Sequence, residues 1–182
     1  MSVNIKYKNN SIAELSDTGT KTLKTAGKYC EADIIVENTK DGGGATEPYI
    51  EEVYDSSGNL INATLHGNTV IRDYAFYNCS RLALTSLPSG LTNIGNNAFL
   101  NCSSLALTSL PSGITNIGNY AFQSCSSLAS LTFEGKPTSI SNSAFRSCTN
   151  LTTINVPWAE GEVANAPWGA TNATINYNYT GA

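Results

Sequence analysis

Ile94-Gly-Asn-Asn-Ala98-Phe99-Leu-Asn-Cys102-Ser-Ser-Leu105 is followed, 23 residues on (117 − 94), by Ile117-Gly-Asn-Tyr-Ala121-Phe122-Gln-Ser-Cys125-Ser-Ser-Leu128. The same columns open one step earlier at Ile71, Ala75-Phe76, Cys79 and Leu82, and close one step later at Ile140, Ala144-Phe145, Cys148 and Leu151. Four columns that keep one period mark an array of stacked units. From its leucine each unit runs on into a short apolar stretch, such as Leu128-Ala-Ser-Leu-Thr-Phe133 or Leu151-Thr-Thr-Ile-Asn-Val156. Alternation there predicts strands with Leu131 and Phe133, or Ile154 and Val156, on one face, four of them stacking as a parallel ladder. The Ala-Phe-x-x-Cys half is expected to cross the opposite side as a helical or 3₁₀ turn. No unit buries its apolar face alone, so stability comes from stacking on neighbours. The expected class is a β-rich α/β solenoid of 23-residue units with a parallel strand ladder, preceded by a small β module.

These motifs closely resemble the BspA-type leucine-rich repeat, whose unit carries Ile, Ala-Phe, Cys and Leu at this spacing before a strand ending in Ile-Pro. The likeness spans roughly residues 70–157. Pro88, Pro111 and Pro157 fill the proline position after the strand, while Glu134 replaces it in the third repeat and changes a turn. The resemblance implies a surface adhesion or recognition protein, and it specifies fold far more closely than function.

Outside the array, residues 1–40 read as a small β module, with candidate strands Val3–Tyr7, Ser11–Leu15, Thr20–Thr25 and Ala32–Glu37. Its stretch from Thr20 to Val36 resembles a short module at the front of tail-associated proteins of phages and prophages. Residues 41–46, around Asp41-Gly-Gly-Gly-Ala45, have linker composition. Residues 47–69 hold two alternating runs around Asp55-Ser-Ser-Gly-Asn59, good hairpin chemistry for an N-terminal cap. The array itself is assigned to 70–157, and 158–182 to a C-terminal cap with a possible strand Ala173–Tyr179.

Composition narrows the function classes. Charged residues are 13% of the 182, against about 25% in ordinary soluble chains, so uncharged polar groups must cover the surface. Ten Lys+Arg against fourteen Asp+Glu give a net charge of −4, the opposite of what phosphate neutralisation needs, and nucleic acid is not an expected partner. The start Met1-Ser-Val-Asn-Ile-Lys-Tyr-Lys has no apolar signal region, and no apolar run approaches the roughly 18 residues of a span, so neither a signal peptide nor membrane insertion is expected.

The residue types that carry chemistry do not assemble into a catalytic or metal motif. Cys79, Cys102, Cys125 and Cys148 stand 23 apart, whereas zinc sites use close pairs, so the column reads as small buried groups; Cys30 is an odd thiol. His66 is the single histidine and has no nucleophile–base set around it. Glu47, Glu51, Glu52 and Asp55 lack the spacing of a calcium loop, and Asp41–Gly44 precedes no lysine-bearing helix start. No enzyme activity, cofactor or metal is expected.

Binding candidates remain. From Leu82 through Phe133 there is no Asp, Glu, Lys, Arg or His, so this surface offers short hydroxyl and amide partners in place of charge. Counting by twos from Leu87 sends Thr85 and Ala83 inward and Leu84 and Ser86 outward, and likewise Leu107 and Ser109. The outward strip would then be Leu84, Ser86, Leu107, Ser109, Ser130, Thr132, Thr153 and Asn155, unless a bulge turns the two leucines inward. Trp158 and Trp168 are alternatives, either as a sugar-stacking platform or as apolar cover for the open end. The expected function is a non-enzymatic, tail-associated phage or prophage virion protein that recognises a host-surface protein or glycan. The rivals are a purely structural virion protein bound to other virion subunits and a bacterial cell-surface adhesin. A homo-oligomer is compatible with each.

Overall fold

A computed structural model describes residues 48–181 together with four short strands, β1 (Asn4–Lys6), β2 (Ile12–Glu14), β3 (Thr22–Lys24) and β4 (Asp33–Ile35). β1 pairs antiparallel with β2, and β3 with β4. The rest of the 1–40 module, Cys30 and the 41–46 linker lie outside the described residues.

β5 (Tyr49–Tyr54) and β6 (Leu60–His66) form an antiparallel hairpin with a register shift between Val53 and Tyr54. Asp55 builds its turn. One carboxylate oxygen accepts from the backbone N–H groups of Ser57 (2.8 Å) and Asn59 (2.9 Å); the other accepts from the Asn59 amide (2.7 Å) and from Arg81 (3.1 Å) on the first coil. These hydrogen bonds, Asn59's first, hold the Asp55 carboxyl down at about 2. Leu60, Ala63 and Leu65 turn inward, and the Ala83 N–H donates to Ile61 O at 2.9 Å, joining the hairpin to the first coil. Glu52 shares the inward face; burial raises its pKa, and the Tyr54 hydroxyl donates to it.

The array builds two parallel ladders. One contains β7 (Val70–Ile71), β8 (Asn93–Ile94), β10 (Asn116–Ile117) and β12 (Ser139–Ile140), with the isoleucine column in register. The other contains β9 (Ser109–Leu110), β11 (Ser130–Phe133), β13 (Thr153–Asn155) and β14 (Thr174–Asn176). Between them the phenylalanine column forms a stack, Phe76 on Phe99 on Phe122 on Phe145, with ring centroids 5.1, 5.3 and 5.2 Å apart and planes within 8°. Coils approach closely at their glycines: a Cβ on Gly118 would lie 2.7 Å from the Asn96 backbone nitrogen.

Three expectations are corrected. First, the Ala-Phe-x-x-Cys segments are turns, and no helix occurs among the described residues. The phenylalanine N–H groups of 76, 99 and 122 donate to Ala98, Ala121 and Ala144 of the next coil (2.8 Å each), so they are unavailable for a bond one helical turn back along their own chain. Left-handed residues bracket the segment, Asn97 and Asn101 at φ 55° and 62°, and asparagine tolerates that region. Second, the four equal strands shrink towards the front of the array: coil 1 has none at 82–87 and coil 2 only Ser109–Leu110. Third, Leu84 and Leu107 point inward, 5% and 2% exposed, while Ala83 and Thr85 are exposed.

One cause accounts for the last two. In coils 3 and 4 the inward residues step by three and then two (128, 131, 133 and 151, 154, 156), which leaves a regular strand at the end. In coils 1 and 2 they step by two and then three (82, 84, 87 and 105, 107, 110). The irregular step then falls at Thr85 and Thr108, inside the stretch that would otherwise pair.

Candidate functional site: the outward strand face

With β9, β11, β13 and β14 in register, Leu110, Leu131, Phe133 and Ile154 go into the core and their neighbours stand on the outer face. Two rows result. One is Ser109, Thr132, Asn155 and Asn176; the other is Ser130, Thr153 and Thr174. Ser130, Thr174 and Asn176 are exposed and the others half-exposed.

The rows differ in what their polar groups already do. In the first, the Asn176 amide donates to Asn155 Oδ1 (2.8 Å), the Asn155 amide to Thr132 Oγ1 (3.2 Å), and the Ser109 hydroxyl to Glu134 (2.7 Å). In the second, among the described residues, no side-chain hydrogen bond engages Ser130, Thr153 or Thr174, so three hydroxyls one coil apart keep donors and lone pairs open. On the opposite ladder the outward groups bond one another: Asn116 donates to Asn93 (2.8 Å), and the Ser139 hydroxyl to Asn116 (2.6 Å). Elsewhere Thr92, Thr115, Ser103 and Asn172 donate to backbone carbonyls of the preceding coil. Much of the neutral polar surface is therefore inter-coil stitching, and the Ser130 row is a part that is not.

Sequence reasoning found Ser109, Ser130, Thr132, Thr153 and Asn155, which the ladder brings together. It missed Thr174 and Asn176, although the repeated Thr-Ile-Asn of 153–155 and 174–176 is a signal for them. Ser86 is exposed but stands apart, on a groove of about 250 Å³ between β6 and the unpaired front segment, lined also by Asn62, Thr64, Leu84 and Pro88. Leu84 and Leu107 leave the candidate strip because they are core.

For the tryptophans it is the sugar-stacking alternative that is corrected. Trp158 and Trp168 are 3% and 0% exposed and have no open face on which a sugar could stack. Their rings meet at 6.3 Å, and Phe133 lies 5.3 Å from Trp158 and 5.9 Å from Trp168, an aromatic plug over the last phenylalanine of the stack. The Trp168 indole N–H donates to Ala164 O at 2.8 Å.

Three thiols of the cysteine column, Cys102, Cys125 and Cys148, are free and buried; each donates to the phenylalanine carbonyl of the coil before, at 2.9, 3.1 and 2.9 Å. Burial pushes Cys102 up to about 12 and Cys148 to about 11, and it also raises Cys125 well above the ordinary thiol value, with its two neighbouring thiols adding to the effect. Such thiols are poor nucleophiles and metal ligands. Cys79 departs from the reading of four equivalent reduced thiols, being disulfide-bonded. No helix among the described residues is long and apolar enough to cross a membrane.

Comparison with known proteins returns the same repeat. The family described as the BspA type leucine rich repeat region matches residues 50–165 in six copies. A leucine-rich repeat protein from Bacteroides ovatus, solved by crystallography, is 25% identical with a TM-score of 0.51 over 61% of this chain. The leucine-rich repeat protein of T. pallidum is 21% identical with a TM-score of 0.43 over 70%. This chain spans 28% and 61% of those two proteins' lengths. No curated protein matches it.

Proposed function

Because this chain belongs to the BspA-type leucine-rich repeat family, we propose that it is a non-enzymatic recognition protein whose outward strand face grips a neutral partner on a cell surface. The observation that carries the reading is the Ser130, Thr153 and Thr174 row, whose hydroxyls are unspent while the opposite ladder's polar groups are bonded to one another. A charge-poor face binds through short hydrogen bonds and close fit, so the fitting partner is a glycan or a neutral protein surface.

The setting this reading takes first is a tail-associated phage or prophage virion, supported by the resemblance of residues 20–36. A bacterial cell-surface adhesin fits equally well, a solved leucine-rich repeat protein that the chain is similar to coming from Bacteroides ovatus. Genes flanking the coding sequence separate the two: capsid and tail genes favour the first, secretion or wall-sorting modules the second.

The test is binding of the fluorescently labelled chain to a panel of bacterial cells. Ser130→Glu with Thr153→Glu should weaken binding by about tenfold or more with an unchanged melting transition. Asn93→Asp on the opposite ladder should leave binding intact. Equal binding by the parent and the double variant would dismiss the strand face.

A further inference from the structure

The second ladder stops at β14 with one edge open among the described residues. The Thr174 N–H donates to Thr152 O (2.9 Å), and Asn176 O accepts from the Val156 N–H (3.0 Å), so these two residues turn their backbone groups towards β13. Alternation turns the N–H and C=O of Ile175 the other way. The Tyr177 N–H and the Ala173 carbonyl have no backbone partner among the described residues either. On the core side of the same edge, Ala173, Ile175 and Tyr177 are half-buried and pack against the core end, an apolar strip centred on Ile175. From Val163 to Ala182 there is no charged residue to repel an approaching chain of the same sequence.

We propose that this edge is a self-association surface, on which β14 of a second copy pairs antiparallel across a two-fold axis through Ile175. Symmetry selects that geometry. Among the described residues β14 is paired with β13 on one side and has only its far edge free, so two copies that meet edge to edge through β14 do so about a dyad. A dyad along the strand would flip one sheet and set its core face beside the other's polar face. A dyad normal to the sheet keeps both cores on one side. Ile175 then faces Ile175 of the second copy as a hydrogen-bonded pair exchanging two N–H···O bonds. Each Tyr177 N–H reaches the other copy's Ala173 carbonyl. The apolar strip is self-complementary under the same operation: Ala173 meets Tyr177, Ile175 meets Ile175. The interface continues the contact already made between β13 and β14, where Thr-Ile-Asn lies on Thr-Ile-Asn in register. It also joins two outward faces into one of eight strands, four from each copy, giving a partner surface two equivalent grips.

Sedimentation of the full chain over a wide concentration range tests this without reference to any ligand. A monomer–dimer equilibrium is expected, and Ile175→Lys should shift it to monomer with the cooperative melting transition retained. Should that variant fail to fold, Tyr177→Lys, on a more peripheral turn residue, gives the same readout. Ile175→Cys should yield an intermolecular disulfide under mild oxidation that the parent chain does not, since Cα atoms of such a pair sit about 5.5 Å apart. A parent chain that stays monomeric throughout, or a dimer that persists undiminished in the lysine variants, overturns the proposal.

Discussion

A thiol held in a column of its own kind is a proton trap. Cys102, Cys125 and Cys148 lie in apolar surroundings with their S–H groups on carbonyls, and burial raises each pKa far above the value of about 8.5 in an unfolded chain. The folded state therefore holds these protons more tightly than the unfolded state. The contribution of Cys148 and Cys102 to stability is complete below about pH 8.5 and is lost as pH climbs through 11 to 12, and that of Cys125 is lost in the same direction. Denaturant midpoints should stay level from neutral pH to about 8.5 and then fall. Cys125→Ala should lower the neutral plateau and flatten the alkaline fall. An equally steep fall in that variant would assign the transition to other groups. Neutral-pH alkylation, read by peptide mass spectrometry at these three positions, should be slow until the chain is denatured. The spacing of 23 made this column legible as structure; that Cys79 differs from its three partners was not legible, because the repeat treats all four alike.

The strands show where pattern reading runs out. A period of two, projected from Leu87 backwards, put Leu84 and Leu107 on the surface, and the chain instead breaks its period to bury both. The hydrophobic gain from two leucines outweighs the few ladder hydrogen bonds forgone, whose net worth is about 1 kcal/mol each. Leu84→Ser with Leu107→Ser should accordingly destabilise the array by several kcal/mol, about 2–5 for each emptied site, read by chemical denaturation. A shift below about 1 kcal/mol would return these side chains to the surface. The period, the two sides of the coil and five residues of the candidate face were readable from the chain. The helix was not excluded, because Ala-Phe-x-x-Cys has acceptable helical spacing. What excludes it is the pull of the next coil on the phenylalanine N–H, a contact no local window contains.

As a whole, the array is held by nearest neighbours. Each coil gives the next a phenylalanine face, a thiol contact, strand bonds and a set of Ser, Thr and Asn bridges, and the ends are sealed by the β5–β6 hairpin and the Trp158–Trp168 plug. Excision of residues 95–117, which is 23 residues (117 − 95 + 1), joins Ile94 to Gly118 with every column in register. The shortened chain should still unfold cooperatively, at a lower temperature because one coil and one interface are gone. Excision of 95–116 leaves the columns one residue out of step and should abolish the cooperative transition. Equal behaviour of the two deletions, followed by circular dichroism, would contradict a neighbour-only scheme.

The side-chain ladders carry a consequence for heredity. Asn116 grips Asn93, Phe122 lies on Phe99, and Cys125 reaches the carbonyl of Phe99, so a coil meets in its neighbour a copy of itself. A DNA polymerase that slips by one unit, or a crossover between misaligned units, then produces a protein whose new junction is chemically the same as the old ones. Length becomes a trait on which selection can act without first repairing the fold, and lineages of such genes should differ in copy number more readily than in the residues of the columns.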